Sequence, residues 1–157
     1  MNVVLVEPEI PPNTGNVARL CAATGAMLHL VGPLGFRLDD RELKRAGMDY
    51  WRHVTWKYWN SLEQLQQWAL CNAAGGTEPA FYYTSSRAKR LYTEPHYRWG
   101  DYLVFGRETA GLPAALLEAN AERTITIPMF NPQARCLNLA TAVAIVLYEA
   151  MRQIKKF

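Results

Sequence analysis

The chain has 157 residues and a mass of 17.8 kDa, one domain's worth at ~100–200 residues per domain, which excludes two complete catalytic domains. Half the residues are apolar and 20% are charged, a globular composition that excludes a disordered or low-complexity chain. The net charge of +3, from 17 Lys+Arg against 14 Asp+Glu, is compatible with a polyanionic partner without requiring one.

In chain order, the apolar run Val3–Val6 predicts a first strand; it passes directly into Glu7-Pro8-Glu9, so no secretory segment is expected. Further strands are expected at Leu28–Val31, Val54–Tyr58, Ala80–Thr84, Tyr102–Phe105 and Thr124–Ile127. Several lack polar alternation, as strands covered on both faces do. Helical composition falls between them at Val17–Thr24, Asp40–Ala46, Leu62–Cys71 and Ala114–Ala119; Ser61 with Gln64 supplies a capping box for the third. A last helix is expected over Leu137–Lys156, apolar on nearly every side as far as Tyr148. Such a helix must be buried all round, deep in the fold or against a second protomer. Its apolar stretch falls short of the ~20 residues of a membrane span. The βα repetition predicts an α/β fold, a single domain over residues 1–157 with a largely parallel sheet flanked by helices.

Four polar or Gly-rich loops follow predicted strands: Glu7–Asn16, Ser85–Arg90, Gly106–Pro113 and Pro128–Asn138. Ligands of open parallel sheets bind at the carboxyl ends of the strands, so these loops point to one shared site. The chain lacks GxGxxG after its first strand, GxxxxGK[ST] and GxSxG, which counts against dinucleotide, nucleoside-triphosphate and serine-hydrolase chemistry. His29, His53 and His96 are isolated, and Cys21, Cys71 and Cys136 form no CxxC pair. No metal is expected, and the cysteines fit reduced thiols in a cytoplasmic protein.

Three segments resemble the motifs of the SPOUT class (SpoU/TrmH-like) of RNA 2′-O-methyltransferases. Asn13-Thr14-Gly15-Asn16-Val17-Ala18-Arg19 is similar to the first, Leu103 to Pro113 to the second, and Ile127-Pro128-Met129 with Cys136-Leu137-Asn138-Leu139 to the third. Glu7 to Asn16 and Leu43 to Trp51 are similar to the minimal TrmL (YibK) type. That resemblance implies a homodimer with a C-terminal trefoil knot and no separate RNA-binding domain. The implied reaction moves the methyl group of S-adenosyl-L-methionine to the ribose 2′-OH of a wobble cytidine or uridine in tRNA, in leucine isoacceptors by family resemblance. The alternatives are the same fold acting on another tRNA or rRNA ribose, and an RNA-binding protein with weakened catalysis.

The resemblance implies catalytic roles for Arg19, Asn13, Asn16, Glu108 and Asn138. A guanidinium stays protonated, so Arg19 is expected to orient the nucleotide and stabilise negative charge on the 2′-oxygen rather than to act as a base. The cofactor pocket would comprise Tyr83, Thr84, Gly106, Glu108, Gly111, Ile127, Met129, Cys136 and Leu137. Gly106 would admit the ligand close to the backbone. Cys136 and Ala140 stand where the family usually has Ser; Cys136 is expected as a small buried residue that contacts the cofactor through its backbone. The anticodon stem-loop would be held by Arg41, Lys44, Arg45, Arg87, Lys89 and Arg90. The aromatics Tyr50, Trp51, Trp56, Tyr58 and Trp59 read either as a stacking platform or, with more weight, as core.

Overall fold

Strands buried on both faces must be apolar at successive positions, and the first strand shows why. In the computed structural model, which describes residues 1–38, 51, 53–73, 77–131 and 133–157, β1 (Asn2–Val6) lies inside a parallel sheet. Val3 and Leu5 face one hydrophobic core with Val17, Ala18 and Cys21 of α1 (Pro11–Thr24). Val4 and Val6 face a second core with Leu62, Leu65 and Ala69. The predicted helix Asp40–Ala46 lies outside the described residues.

Among the described residues, the remaining strands and α-helices are β2 (Met27–Val31), β3 (Trp56–Trp59), α2 (Leu62–Cys71), β4 (Phe81–Thr84), β5 (Arg90–Leu91), β6 (Tyr102–Phe105), α3 (Ala114–Ala119), β7 (Thr124–Thr126) and α4 (Leu139–Lys155). The seven strands are ordered β3-β2-β1-β6-β4-β7-β5, and each pairing is parallel. β1 is hydrogen-bonded to β2 with Leu5 opposite Leu30, and to β6 with Leu5 opposite Phe105. The loops after β1 and β6 therefore emerge side by side at the carboxyl edge.

The predicted strands agree with the observed ones to within about two residues, apart from β5, which sequence composition concealed as the end of a basic loop. Its two residues, Arg90 and Leu91, pair with Ile125 and Thr126 of β7. The helix after β1 differs more. It begins at Pro11 rather than Val17, because two prolines suit the first helical turn, where the N–H groups they lack would have no helical partner. Asn13 to Asn16 are thus helical. Gly25, in the left-handed conformation at φ 73°, ends α1 and returns its N–H to Cys21 O. On α2, Ser61 Oγ accepts the Gln64 N–H (3.2 Å) as predicted, while Gln64 Oε1 accepts the Asn60 N–H (3.0 Å).

The apolar part of α4 is not buried all round. Val143, Val146, Leu147, Ala150 and Met151 are buried against the sheet, whereas Thr141 and Tyr148 remain exposed and Ala144 half-buried. Most of the aromatic set belongs to packing, Trp51 and Trp56 against the same core as α4 and Trp59 in the core on the other face of the sheet. Trp59 is buried and donates its indole N–H to His29 Nδ1 (3.0 Å), and Trp56 packs on Trp51 with ring centroids 4.6 Å apart. Tyr58 lies across Gly32, where an added Cβ would meet the Tyr58 hydroxyl.

His29 is fully buried. Because its Nδ1 accepts the Trp59 N–H, its proton resides on Nε2 and is donated to Asn2 Oδ1 (3.2 Å). Burial, reinforced by the charge of Lys57, pushes the imidazole pKa down to about 4. A folded pKa below the unfolded value of about 6.5 contributes stability that is complete above that pH and is lost as pH falls towards 4. The His29 contribution to the unfolding free energy should therefore fall by up to about 1.4 kcal/mol per pH unit across this window. Urea titrations at pH 7, 5.5 and 4.5 should show a shallower pH dependence in His29→Phe.

Candidate functional site

The site is assembled at the carboxyl edge, where the loop after β1, the loop after β6 and the start of α4 meet. Pro11 and Pro12 carry no N–H, and the first helical donors, Asn13 N–H and Thr14 N–H, bond Ile10 O at 3.0 and 3.3 Å. The N–H groups of Glu9 and Ile10 remain at the head of α1. Both are taken by the carboxylate of Glu108, at 2.8 and 3.2 Å, so the helix is capped from a different loop. Glu108 caps α1 rather than its own turn.

The third donor to Glu108 is Asn13 Nδ2 (3.0 Å), which fixes the direction of a longer chain. A carboxylate only accepts, so the buried Asn13 amide must point its NH2 at Glu108 and its oxygen away. That oxygen accepts Asn138 Nδ2 (2.9 Å), which leaves Asn138 Oδ1 to accept the N–H groups of Ala140 (2.9 Å) and Thr141 (3.3 Å) at the head of α4. Two helix N-termini are joined through one carboxylate and two amides of defined orientation.

Sequence reasoning missed a second set of contacts between the same loops. Glu9 Oε2 accepts both the Thr109 N–H (3.1 Å) and the Thr109 hydroxyl (2.7 Å). Glu7 is ion-paired with Arg107. Glu7 has φ 51°, an uncommon left-handed conformation for a residue with a side chain, and gives its N–H to Val31 O (2.7 Å). A third loop joins through Gly35, whose N–H bonds Pro8 O (2.9 Å) and whose added Cβ would lie 2.8 Å from Glu9 Cα. The available signal was complementary chemistry on two loops, but its use requires knowing that β1 and β6 are neighbours.

An open groove of about 510 Å³ lies between α1 and α4, lined by Asn16, Arg19, Leu20, Ala23, Asn138, Ala140, Thr141 and Ala144. Asn16, Arg19 and Asn138 thus share one concavity, with Asn13 joined to it through Asn138. Half-buried Ile127, Met129 and Leu137 lie on the loop between β7 and α4, with Gly106 and Gly111 on the loop after β6. Apolar side chains of this kind suit the flat face of a nucleoside.

Other expected site residues are placed differently. Tyr83 is 1% exposed in the second core and its hydroxyl accepts Gln66 Nε2 (2.9 Å), so its ring is turned away from the carboxyl-edge loops. Thr84 Oγ1 donates to Val104 O (3.0 Å). Cys136 is exposed, contrary to the expected buried residue, because the loop carries it out ahead of the Asn138 cap. Gly106 is required by its own loop: an added Cβ would lie 2.2 Å from Gly111 C and 2.3 Å from Leu112 N. Close approach of protein backbone, rather than of a ligand, accounts for this glycine. Arg87 and Lys89 are exposed, and Arg90 donates to Glu122 O (2.6 Å). Arg41, Lys44 and Arg45 lie outside the described residues.

The SpoU rRNA Methylase family model matches residues 1–148. The chain belongs to this family. A relative from Geobacillus stearothermophilus is 48% identical over 158 residues, covering 98% of this chain and 94% of the relative. The Escherichia coli (strain K12) tRNA (cytidine(34)-2′-O)-methyltransferase is 43% identical, again over 98% of this chain and 94% of its own length. Among solved structures, one concerned with 2-OH methylation of C/U34 on tRNA superposes with a TM-score of 0.84 at 43% identity, covering 99% of this chain and 97% of that one. The SpoU methyltransferase AviRb of Streptomyces viridochromogenes, in complex with AdoMet, superposes at 0.83 with 27% identity, covering 98% of this chain and 60% of its own. The seven-stranded parallel sheet is thus the SpoU fold, and the chain is an RNA methyltransferase of that family.

Three substitutions test the geometry. Asn138→Asp retains the oxygen that caps α4 but turns a second acceptor towards Asn13 Oδ1, so it should destabilise by about 1–3 kcal/mol, whereas its cap alone would predict no loss. Gly106→Ala, which meets backbone, should cost about 3 kcal/mol or more. Gly111→Ala, with open space but φ 68°, should cost only about 1 kcal/mol. Urea unfolding of the three variants checks these values and their order.

Proposed function

We propose that this protein is an S-adenosylmethionine-dependent tRNA 2′-O-methyltransferase acting on the ribose of nucleotide 34, cytidine or uridine, as a cytoplasmic homodimer. The observation that carries the reading is the gathering of Asn16, Arg19 and Asn138 around one groove, tied through Asn13 to Glu108. Near full-length likeness to proteins named for that reaction supports it.

The cofactor would be held by the loop after β6 with Gly106 and Gly111, and by Ile127, Met129, Cys136 and Leu137, with Tyr83 and Thr84 contributing backbone. When bound, it supplies a methyl group already activated by sulfonium charge. The Arg19 guanidinium holds the nucleotide by its phosphate and ribose and stabilises the negative charge that develops on the 2′-oxygen. Asn13, Asn138 and Glu108 fix the frame in which that happens: each Glu108 oxygen already accepts at least one N–H, which suits it to positioning rather than proton removal. Asn16 lies on the same helix and contributes to the groove wall.

The anticodon stem-loop would meet exposed Arg87 and Lys89, together with Arg41, Lys44, Arg45 and Arg90. A second protomer would cover the open face of α1 and α4, where Leu20, Ala23, Ala140 and Ala144 line the groove and Tyr148 is 47% exposed. Small residues there let two helices approach closely. A knotted path for the C-terminal segment, within one domain over residues 1–157, is part of this proposal.

Incubation with methyl-labelled cofactor and tRNA lacking the modification should place label on the ribose of nucleotide 34. Label on a base, or on another ribose, overturns the assignment. Arg19→Ala should lower kcat at least ~100-fold, and sedimentation of the unsubstituted protein should give twice the chain mass.

A further inference from the structure

Glu9 is a junction of three loops that the reaction chemistry has not yet used. Its N–H is held by Glu108 Oε2 (2.8 Å), and its own Oε2 takes both donors of Thr109. The two loops therefore exchange carboxylates: residue 108 holds residue 9 and residue 9 holds residue 109. Such a ring of bonds resists sliding and rotation, since either motion breaks contacts in both directions. On the other side, Gly35 abuts the Glu9 backbone and its N–H binds Pro8 O, which blocks retreat.

The fold alone does not call for this grip. The base of the loop after β6 is already closed by the reciprocal Arg107–Gly111 backbone bonds at 2.9 and 3.3 Å. Thr109 lies beyond that closure, at an exposed tip, where the Glu9 contacts fix the loop against the head of α1. The same helix carries Asn13 and Arg19.

We infer that Glu9 and Thr109 are positioning residues, forming a latch that holds the 106–112 loop and the head of α1 as one unit and so sets the methyl donor against the ribose oxygen. This rests on the cofactor assignment proposed above. Misplacement of reacting groups by about 1 Å can cost ~100-fold in rate, so a latch remote from the reacting atoms has leverage on kcat.

Thr109→Val keeps the N–H and the side-chain shape but removes the hydroxyl; Thr109→Ser restores it. Steady-state kinetics should show kcat reduced ~5–10-fold in Thr109→Val, with KM for tRNA within about twofold and Thr109→Ser close to the unsubstituted protein. Glu9→Ala should lower kcat ~10–30-fold, and the double variant Glu9→Ala/Thr109→Val should be no slower than Glu9→Ala. Amide hydrogen exchange over residues 106–112 should quicken in Thr109→Val and Glu9→Ala but not in Thr109→Ser. Unchanged kcat and exchange in a folded Thr109→Val, or multiplying effects in the double variant, overturns the latch. If the unsubstituted protein transfers no methyl group while the exchange pattern appears, the latch stands as a structural coupling and the methyltransferase reading fails.

Discussion

The head of α1 is the constraint on which the site depends. Two prolines start the helix without donors of their own, and Ile10 at the cap position offers no polar side chain. The N–H groups of Glu9 and Ile10, at the positive end of a helix, require an acceptor from elsewhere. Glu108 supplies it, and because a carboxylate can only accept, it dictates the orientation of every amide beyond it. Asn13 and Asn138 follow in an order that ends at the first N–H groups of α4. Local capping has become the means by which two helices are placed relative to each other.

The sheet makes that arrangement possible. Parallel pairing of β1 with both β2 and β6 brings three loops out at one edge, and burial on both faces holds the strand ends rigidly beneath them. The same architecture leaves an asymmetry on α4. Its sheet-facing side is fully packed, while Thr141, Ala144 and Tyr148 lie on the side beside Arg19's helix. In the proposed homodimer, substrate-facing and partner-facing surfaces would share a border instead of lying on separate parts of the protein.

Much of this was legible in the sequence because it rests on local rules. Continuous apolar runs marked strands buried on both faces, and Ser61 and Gln64 marked the start of α2. The motif segments carried the family and brought Asn13, Glu108 and Asn138 into one list of site residues. Their partners were not legible, since that Glu108 serves α1 follows from the adjacency of β1 and β6, which no local pattern encodes. The same limit explains Gly106, whose missing side chain makes room for Gly111 and Leu112. It also explains Tyr83, which the family resemblance set in the cofactor pocket while strand alternation turned its ring into the core. Cys136 was misjudged because small size suggested burial, whereas the run-up to a capped helix is exposed.

Asn13 and Asn138 are separated by 125 residues, yet one hydrogen bond joins them. A polypeptide emerging from the ribosome therefore completes α1 long before the amide that reads its orientation exists. Until that last segment arrives, Asn13 has no Asn138 to satisfy its oxygen, and α4 itself is absent. The groove between the two helices is consequently absent from truncated or half-synthesised chains and is completed only by the final segment of the polypeptide.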